Sequence, residues 1–206
     1  MNRVLYIKAS PREGRSHSIA VADAFVDAWK QANPAAEVKV KNLFEANLPP
    51  FDGAKVQAKY NLLHGKDHSA EQKQAWNEVE NLIEEFKSFN RFVFAVPMWN
   101  FSIPYPLKQY IDLIVQPGYT FGMNEKGYFG MMKDAKALTV YASGGEYPAG
   151  NPLETYNFQS TYLKSVLGFM GITDVTEIGT RGTLMDSREA NKKQALNEAR
   201  EIAKTF

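Results

Sequence analysis

Short runs of consecutive apolar residues alternate along this chain with longer stretches in which apolar residues recur every three or four positions. The clearest run, Phe92-Val93-Phe94-Ala95-Val96, has no polar position, which is the pattern of a parallel strand covered by helices on both faces. Further strands are predicted at 3–8 and 137–142, which are largely apolar, and at 38–43 and 175–178, where polar residues are interspersed. Helical spacing predicts a helix from about 18, with Ile19, Ala22, Phe25, Val26 and Trp29 on one side, ending before Asn33-Pro34. A second has Trp76, Val79, Ile83 and Phe86 on one face, with the charge-rich stretch 71–85 supplying its solvated side. Three more are predicted from 104 to about 116, over 153–170 and over 188–205. Residues 119–130, rich in glycine and aromatics, predict a short hairpin. Residues 44–70 contain Pro49-Pro50, Asp52-Gly53 and His64-Gly65 and have weak periodicity; they read as an excursion of loop and short helix, suited to a lid or a partner contact. Five strands with intervening helices, joined by right-handed crossovers, form a doubly wound three-layer α/β sandwich.

Length and composition narrow this picture. A chain of 206 residues fits one domain, 1–206. Its 24 Lys plus Arg nearly cancel 23 Asp plus Glu, so no global field draws it to nucleic acid or to an anionic membrane. Without cysteine there are no disulfides, thiolate nucleophiles, cysteine-ligated zinc sites or iron–sulfur clusters, which leaves chemistry to hydroxyls, carboxylates, amides or a borrowed cofactor. Val4-Leu5-Tyr6-Ile7 is stopped by Lys8, too short for a signal-peptide core, and no stretch reaches membrane-spanning length; the expected location is the cytoplasm. His64 and His68 stand four residues apart, but with only Asp67 and Glu71 nearby they make no convincing ligand set, and no metal is expected.

Candidate chemistry lies in three loops. Periodicity leaves two strand orders open, flavodoxin-like and dinucleotide-binding, and the first loop bears on the choice. Ala9-Ser10-Pro11-Arg12-Glu13-Gly14-Arg15-Ser16-His17-Ser18 has one glycine, so it lacks both the glycine spacing of a dinucleotide fingerprint and the Gly-Lys-Ser/Thr ending of a nucleotide-triphosphate loop. It offers the hydroxyls of Ser10, Ser16 and Ser18 beside the free amides of a helix start, which suits a terminal phosphomonoester; plain helix capping by Ser16 or Ser18 is the structural alternative. After the third strand, Pro97-Met98-Trp99-Asn100-Phe101 forms a proline-bounded turn with an amide between aromatics, suited to a flat heteroaromatic ligand. After the fourth, Ser143-Gly144-Gly145 lets main chain pass close to a planar group with no Cβ in the way. In a sheet ordered 2-1-3-4-5 these loops end neighbouring strands, at the edge where open α/β sheets bind ligands.

The same residues carry a resemblance. Ser10-Pro11-Arg12 with Ser16-His17-Ser18, then Pro97-Met98-Trp99-Asn100-Phe101, Gly118-Tyr119-Thr120-Phe121, Ser143-Gly144-Gly145 and Leu167-Gly168-Phe169-Met170-Gly171-Ile172 together resemble the FMN-dependent NADH-azoreductases, also described as NADH:quinone oxidoreductases. The resemblance spans nearly the whole chain in order. It implies a flavodoxin-like three-layer sandwich, a five-stranded parallel sheet in order 2-1-3-4-5, and a homodimer with FMN at the subunit interface. It assigns the phosphate to Ser10, Ser16, His17 and Ser18, and the ring system to Pro97, Met98, Trp99, Asn100 and Phe101 and to Ser143, Gly144 and Gly145. The family's fourth-strand loop commonly carries an arginine or other polar residue, where this chain has Ala142-Ser143. Hydride would pass from NADH or NADPH to flavin and then, in ping-pong turnover, to quinones or azo compounds, with no catalytic side chain required. Phe101, Tyr119 and Phe121 would form the stacking slot, hairpin packing being the structural alternative for the last two. The 153–170 helix, with Phe158, Tyr162, Leu163, Val166, Leu167, Phe169 and Met170, is apolar nearly all round at its end and predicts burial at a subunit contact, core packing beneath a loop being the structural alternative. A flavodoxin-like electron carrier is the competing reading; carriers of that kind have strongly acidic surfaces, unlike this balanced chain.

Overall fold

Strands that are apolar at every position persist only where both faces are covered, and the computed structural model of this chain, which describes residues 3–206, covers them. Met1 and Asn2, the start of the expected domain, lie outside the described residues. Strands β1 (Arg3–Lys8), β2 (Glu37–Asn42), β3 (Arg91–Pro97), β6 (Lys136–Ala142) and β7 (Asp174–Thr180) form one parallel sheet in the order β2-β1-β3-β6-β7, which is 2-1-3-4-5 counted by sheet strand. β4 (Phe121–Asn124) and β5 (Gly127–Gly130) form the expected antiparallel hairpin. Helices α1 (His17–Ala32) and α6 (Arg188–Ile202) cover one face, burying Phe25, Trp29, Ala195 and Ala199 against Tyr6, Val93 and Leu138. The other face packs α3 (Ala70–Lys87), α4 (Tyr105–Ile114) and α5 (Phe158–Met170) against Leu5, Phe92, Phe94 and Tyr141.

The parallel register decides where the loops fall. Lys8 pairs with Ala95, Pro97 with Ala142, and Ala142 with Thr180, so the carboxyl ends of β1, β3, β6 and β7 stand side by side. Two bonds carry the ladder past the strand ends: Ala9 donates to the Ala95 carbonyl at 3.0 Å and Met98 to the Ala142 carbonyl at 2.7 Å.

Two sequence expectations change. The 153–170 helix is two elements, a 3-10 turn (Pro152–Tyr156) and α5, because Asn157 breaks the run and its side chain accepts from Ser160 N. The excursion is more regular than its weak periodicity predicts: α2 (Gly53–Leu63) is capped by Asp52, and α3 begins at Ala70 behind a Ser69/Gln72 capping box. The apolar end of α5 has contacts within its own chain. Leu163, Leu167 and Met170 face the core, while Phe169 packs on Phe121 and Tyr128 of the chain's own hairpin at 4.6 and 5.7 Å; Phe158, at the helix start, stays 54% exposed.

Candidate functional site

Ser16 holds extended backbone (φ −85°, ψ 122°) and caps α1, its Oγ accepting from Ile19 N at 3.4 Å. Capping does not use up the corner. Ser16 Oγ lies 3.2 Å from Ser18 Oγ, Ser10 is buried beside the Arg12 amide, and the His17 and Ser18 N–H groups have no acceptor among the described residues. His17 Nδ1 is buried without a hydrogen-bond partner. A helix start with hydroxyls, unclaimed amides and an imidazole is a cradle for a phosphate.

Burial holds the His17 pKa below its ordinary value, and the positive charges of Lys192 and Arg12 push it the same way. The imidazole therefore releases its proton more readily folded than unfolded. Its stabilising contribution is present above the ordinary histidine pKa of about 6.5 and is lost as pH falls below it. Lys192→Gln is expected to raise the His17 pKa, read from an NMR titration of the ring protons; an unmoved titration would detach Lys192 from this corner.

The loop after β3 turns between Trp99 and Ser102, each donating its N–H to the other's carbonyl at 2.9 and 3.0 Å. Asn100 and Phe101, the two central residues, both have positive φ, +46° and +70°. This is the twist of a type I′ turn, which asparagine and glycine enter readily and phenylalanine only at a cost of about 1–2 kcal/mol. The strain turns outward what a core would bury: Trp99 is 36% and Phe101 47% exposed, and the Asn100 and Phe101 amides have no acceptor among the described residues. Phe101 rests on Tyr156 at 5.2 Å, and Trp99 on Phe44 and Tyr105 at 5.8 and 6.2 Å. Gln109 fixes the excursion here by donating to the Leu48 and Pro49 carbonyls, and a cavity of about 580 Å³ opens between Phe51, Trp99, Asn100 and Tyr105.

The third loop has its carbonyls turned away. Ser143, Gly144 and Gly145 C=O accept from Thr183, Leu184 and Gly182 N–H at 3.0, 3.3 and 3.2 Å. Each peptide is planar and trans, so the N–H groups of Gly144, Gly145 and Glu146 point away from that segment. None of the three donates to another group among the described residues. Gln159, fully buried, joins the second and third loops from below by donating to the Val96 and Ala142 carbonyls at 2.9 and 3.3 Å.

The structure thus brings Ser10, Ser16, His17 and Ser18 to one strand edge with Pro97 to Phe101 and with Ser143, Gly144 and Gly145. It does not bring Tyr119 and Phe121 there. Helix α4 returns from that edge, and the chain beyond it lies by the last turn of α5, where Met132 donates to the Met170 carbonyl at 2.9 Å. Phe121 packs there on Phe169, and the Tyr119 hydroxyl donates to Glu80 at 2.5 Å and accepts from Trp76 Nε1 at 3.3 Å. Burial, then this bond to Glu80, raises the Tyr119 pKa. His64 and His68 turn ring nitrogens to the Tyr60 and Ala58 carbonyls of α2. Sequence reasoning missed Phe44, Tyr105, Gln159, Asn191 and Lys192, whose relation to the site exists only in the fold. It also missed Arg181, a guanidinium beside the third loop, stacked between Tyr141 and Tyr147 at 5.8 and 6.0 Å.

Comparison with known proteins agrees with this geometry. A family model described as flavodoxin-like fold matches residues 2–203. An FMN-dependent NADH:quinone oxidoreductase of Nitratidesulfovibrio vulgaris (strain DP4) is 46% identical over 209 residues, covering 100% of both chains. One from Desulfotalea psychrophila (strain LSv54 / DSM 12343) is 40% identical over 207 residues, covering 99% of this chain and 97% of the relative. Among solved structures, an azoreductase from Bacillus anthracis str. Sterne superimposes with a TM-score of 0.92 at 28% identity over 100% of both chains. An FMN-dependent NADH-azoreductase from Bacillus anthracis str. Ames Ancestor, solved in complex with FMN, gives 0.90 at 28% identity over 98% of each.

Proposed function

This chain belongs to the flavodoxin-like fold family, and from that premise we propose that it is an FMN-dependent oxidoreductase that takes reducing equivalents from NADH and passes them to quinones and azo compounds. One observation carries the reading: the loops after the adjacent strands β1, β3 and β6 each keep backbone N–H groups that no atom among the described residues accepts, at 17–18, 100–101 and 144–146. The donor set fits a flat, acceptor-rich ring joined to a phosphate. FMN, when bound, supplies hydride acceptance and electron donation at its ring.

The protein's work is holding and shaping. Ser10, Ser16, His17 and Ser18 hold the phosphate through hydroxyls, amides and the start of α1. Pro97, Met98, Trp99, Asn100 and Phe101 line one side of the ring and Ser143, Gly144 and Gly145 the other. Phe101, held outward by its turn, offers the surface on which a nicotinamide or an aromatic acceptor stacks, an arrangement worth about 0.5–1.5 kcal/mol. One slot serves both, so the oxidised dinucleotide leaves before the acceptor enters and turnover is ping-pong, with NADPH a second donor for the same slot. The working unit is a homodimer in which the β4–β5 hairpin and Phe121 serve the partner's slot. Exposed Tyr105, Met123, Tyr128 and Phe158 supply the apolar contact surface. No helix among the described residues is long and apolar enough to cross a membrane, and a cytoplasmic supply of reduced dinucleotide suits the proposed location.

Anaerobic mixing tests the function. The FMN-loaded protein is expected to lose its yellow absorbance within the mixing time on adding NADH, with no separate reductase, and to regain it on adding a quinone. A protein that takes up no FMN, or bleaches only when a reductase is supplied, would overturn the assignment, the second result in favour of an electron carrier. NADPH in the same assay gives the donor preference.

A further inference from the structure

Three backbone bonds set the direction of the 143–146 loop, and a side-chain hook beyond them sets its position. Glu146 Oε1 accepts from Asn191 Nδ2 at 3.1 Å and from Ser187 Oγ at 3.3 Å. The same Asn191 amide donates to the Arg181 carbonyl at 2.9 Å and lies 3.2 Å from Ser187 Oγ. One side chain of α6 therefore ties together the loop after β6 and the segment after β7. Gly182 makes the room: it has φ +71°, and a Cβ there would stand 2.8 Å from Glu146 Oε1 and 3.3 Å from Asn191 Nδ2. The anchor is firm, because Ala195 and Ala199 of the same helix are buried against the α1 side of the sheet.

The position matters because of what the loop presents. The Gly144, Gly145 and Glu146 amides have no acceptor among the described residues, and their aim depends on where Glu146 is held. Preorganised donors stabilise a site most where negative charge gathers, and a flavin ring is richer in electrons when reduced than when oxidised. We infer that Glu146 and Asn191 are positioning residues: their hydrogen bond holds the 144–146 amides on the flavin ring and makes the site bind reduced FMN more tightly relative to oxidised. The inference rests on the FMN reading above.

Asn191→Asp is nearly isosteric and sets a second carboxylate against Glu146. It is expected to weaken FMN binding about fivefold, the loss of about one hydrogen bond, with the loss about fivefold greater for reduced than for oxidised flavin. At 29.6 mV per tenfold for a two-electron couple, that lowers the midpoint potential by about 20 mV. Glu146→Ala, a truncation at the surface, should act in the same direction. The double variant Glu146→Gln with Asn191→Asp restores a donor facing an acceptor between 146 and 191, while the Asn191 bond to the Arg181 carbonyl stays lost, and should recover part of both losses. Unchanged affinity and potential in the single variants, equal losses in both redox states, or a double variant no better than Asn191→Asp would overturn the hook while leaving the FMN reading intact. A wild-type protein that takes up no FMN would overturn both.

Discussion

Ser16→Asp is expected to lower FMN affinity at least a hundredfold while leaving the unfolding free energy within about 0.5 kcal/mol of wild type. The substitution separates the helix cap, which Ser16 provides, from the phosphate contact proposed for it. As a cap, aspartate is as good as serine: its carboxylate can accept from Ile19 N as Ser16 Oγ does, and the helix dipole favours a negative charge there. As a phosphate ligand it is the wrong sign. Two unit charges about 4 Å apart at an effective dielectric constant of about 20 repel by about 4 kcal/mol, roughly three powers of ten in affinity. Arg12 and Lys192 stand close enough to offset part of that, which brings the expectation to two powers. Riboflavin, which lacks the phosphate, is the control. Fluorescence titration should show FMN binding lost and riboflavin binding nearly unmoved; equal losses for the two ligands would reassign Ser16 to the cap alone.

Much of this arrangement is legible before any coordinates exist, and the failures have physical causes. The apolar runs of β1, β3 and β6 specify strands covered on both faces, whereas β2 and β7, with polar positions interspersed, are the two edges of the sheet. The strand order has no such signature; the glycine-poor first loop narrows it and the sheet fixes it as β2-β1-β3-β6-β7. The merged helix at 153–170 is a local miss, because apolar spacing runs on through Asn157 while its capping role depends on a bond to Ser160. Phe101 is a different case. A type I′ turn prefers glycine where this chain places phenylalanine, and a broken local rule of that kind marks a position kept for function rather than for folding. Tyr119 and Phe121 stand apart from the three loops of their own subunit, Tyr119 against Trp76 and Glu80 and Phe121 against Phe169, and the sequence carries no mark of which subunit's slot they serve. The contact between Glu146 and Asn191 spans 45 residues and leaves no mark in either neighbourhood. Only the fold brings them together.

Gly130→Ala and Gly168→Ala are expected to move stability in opposite directions, though both glycines lie within a few residues of the hairpin's seat on α5. A Cβ at Gly130 would stand 2.1 Å from Gly171 N, 2.3 Å from Gly171 Cα and 2.4 Å from Met170 C. These are backbone atoms at the capped end of α5, where Gly171 holds φ +97°, so no rotamer change relieves the clash. Either the hairpin lifts or the helix end unwinds, and a loss of about 3 kcal/mol in urea unfolding is expected. Gly168 lies inside α5 with open space where its Cβ would go, and alanine there should add about 0.5–1 kcal/mol. Hydrogen exchange locates the effect: Gly130→Ala should lose protection over residues 121–130 before the β1, β3 and β6 amides respond. The proposed dimer adds a consequence, since a hairpin that no longer sits on α5 cannot serve the partner's slot. Its subunits should therefore dissociate at a protein concentration where wild type stays paired. Full dimerisation in Gly130→Ala, with protection of 121–130 lost, would place the subunit contact elsewhere.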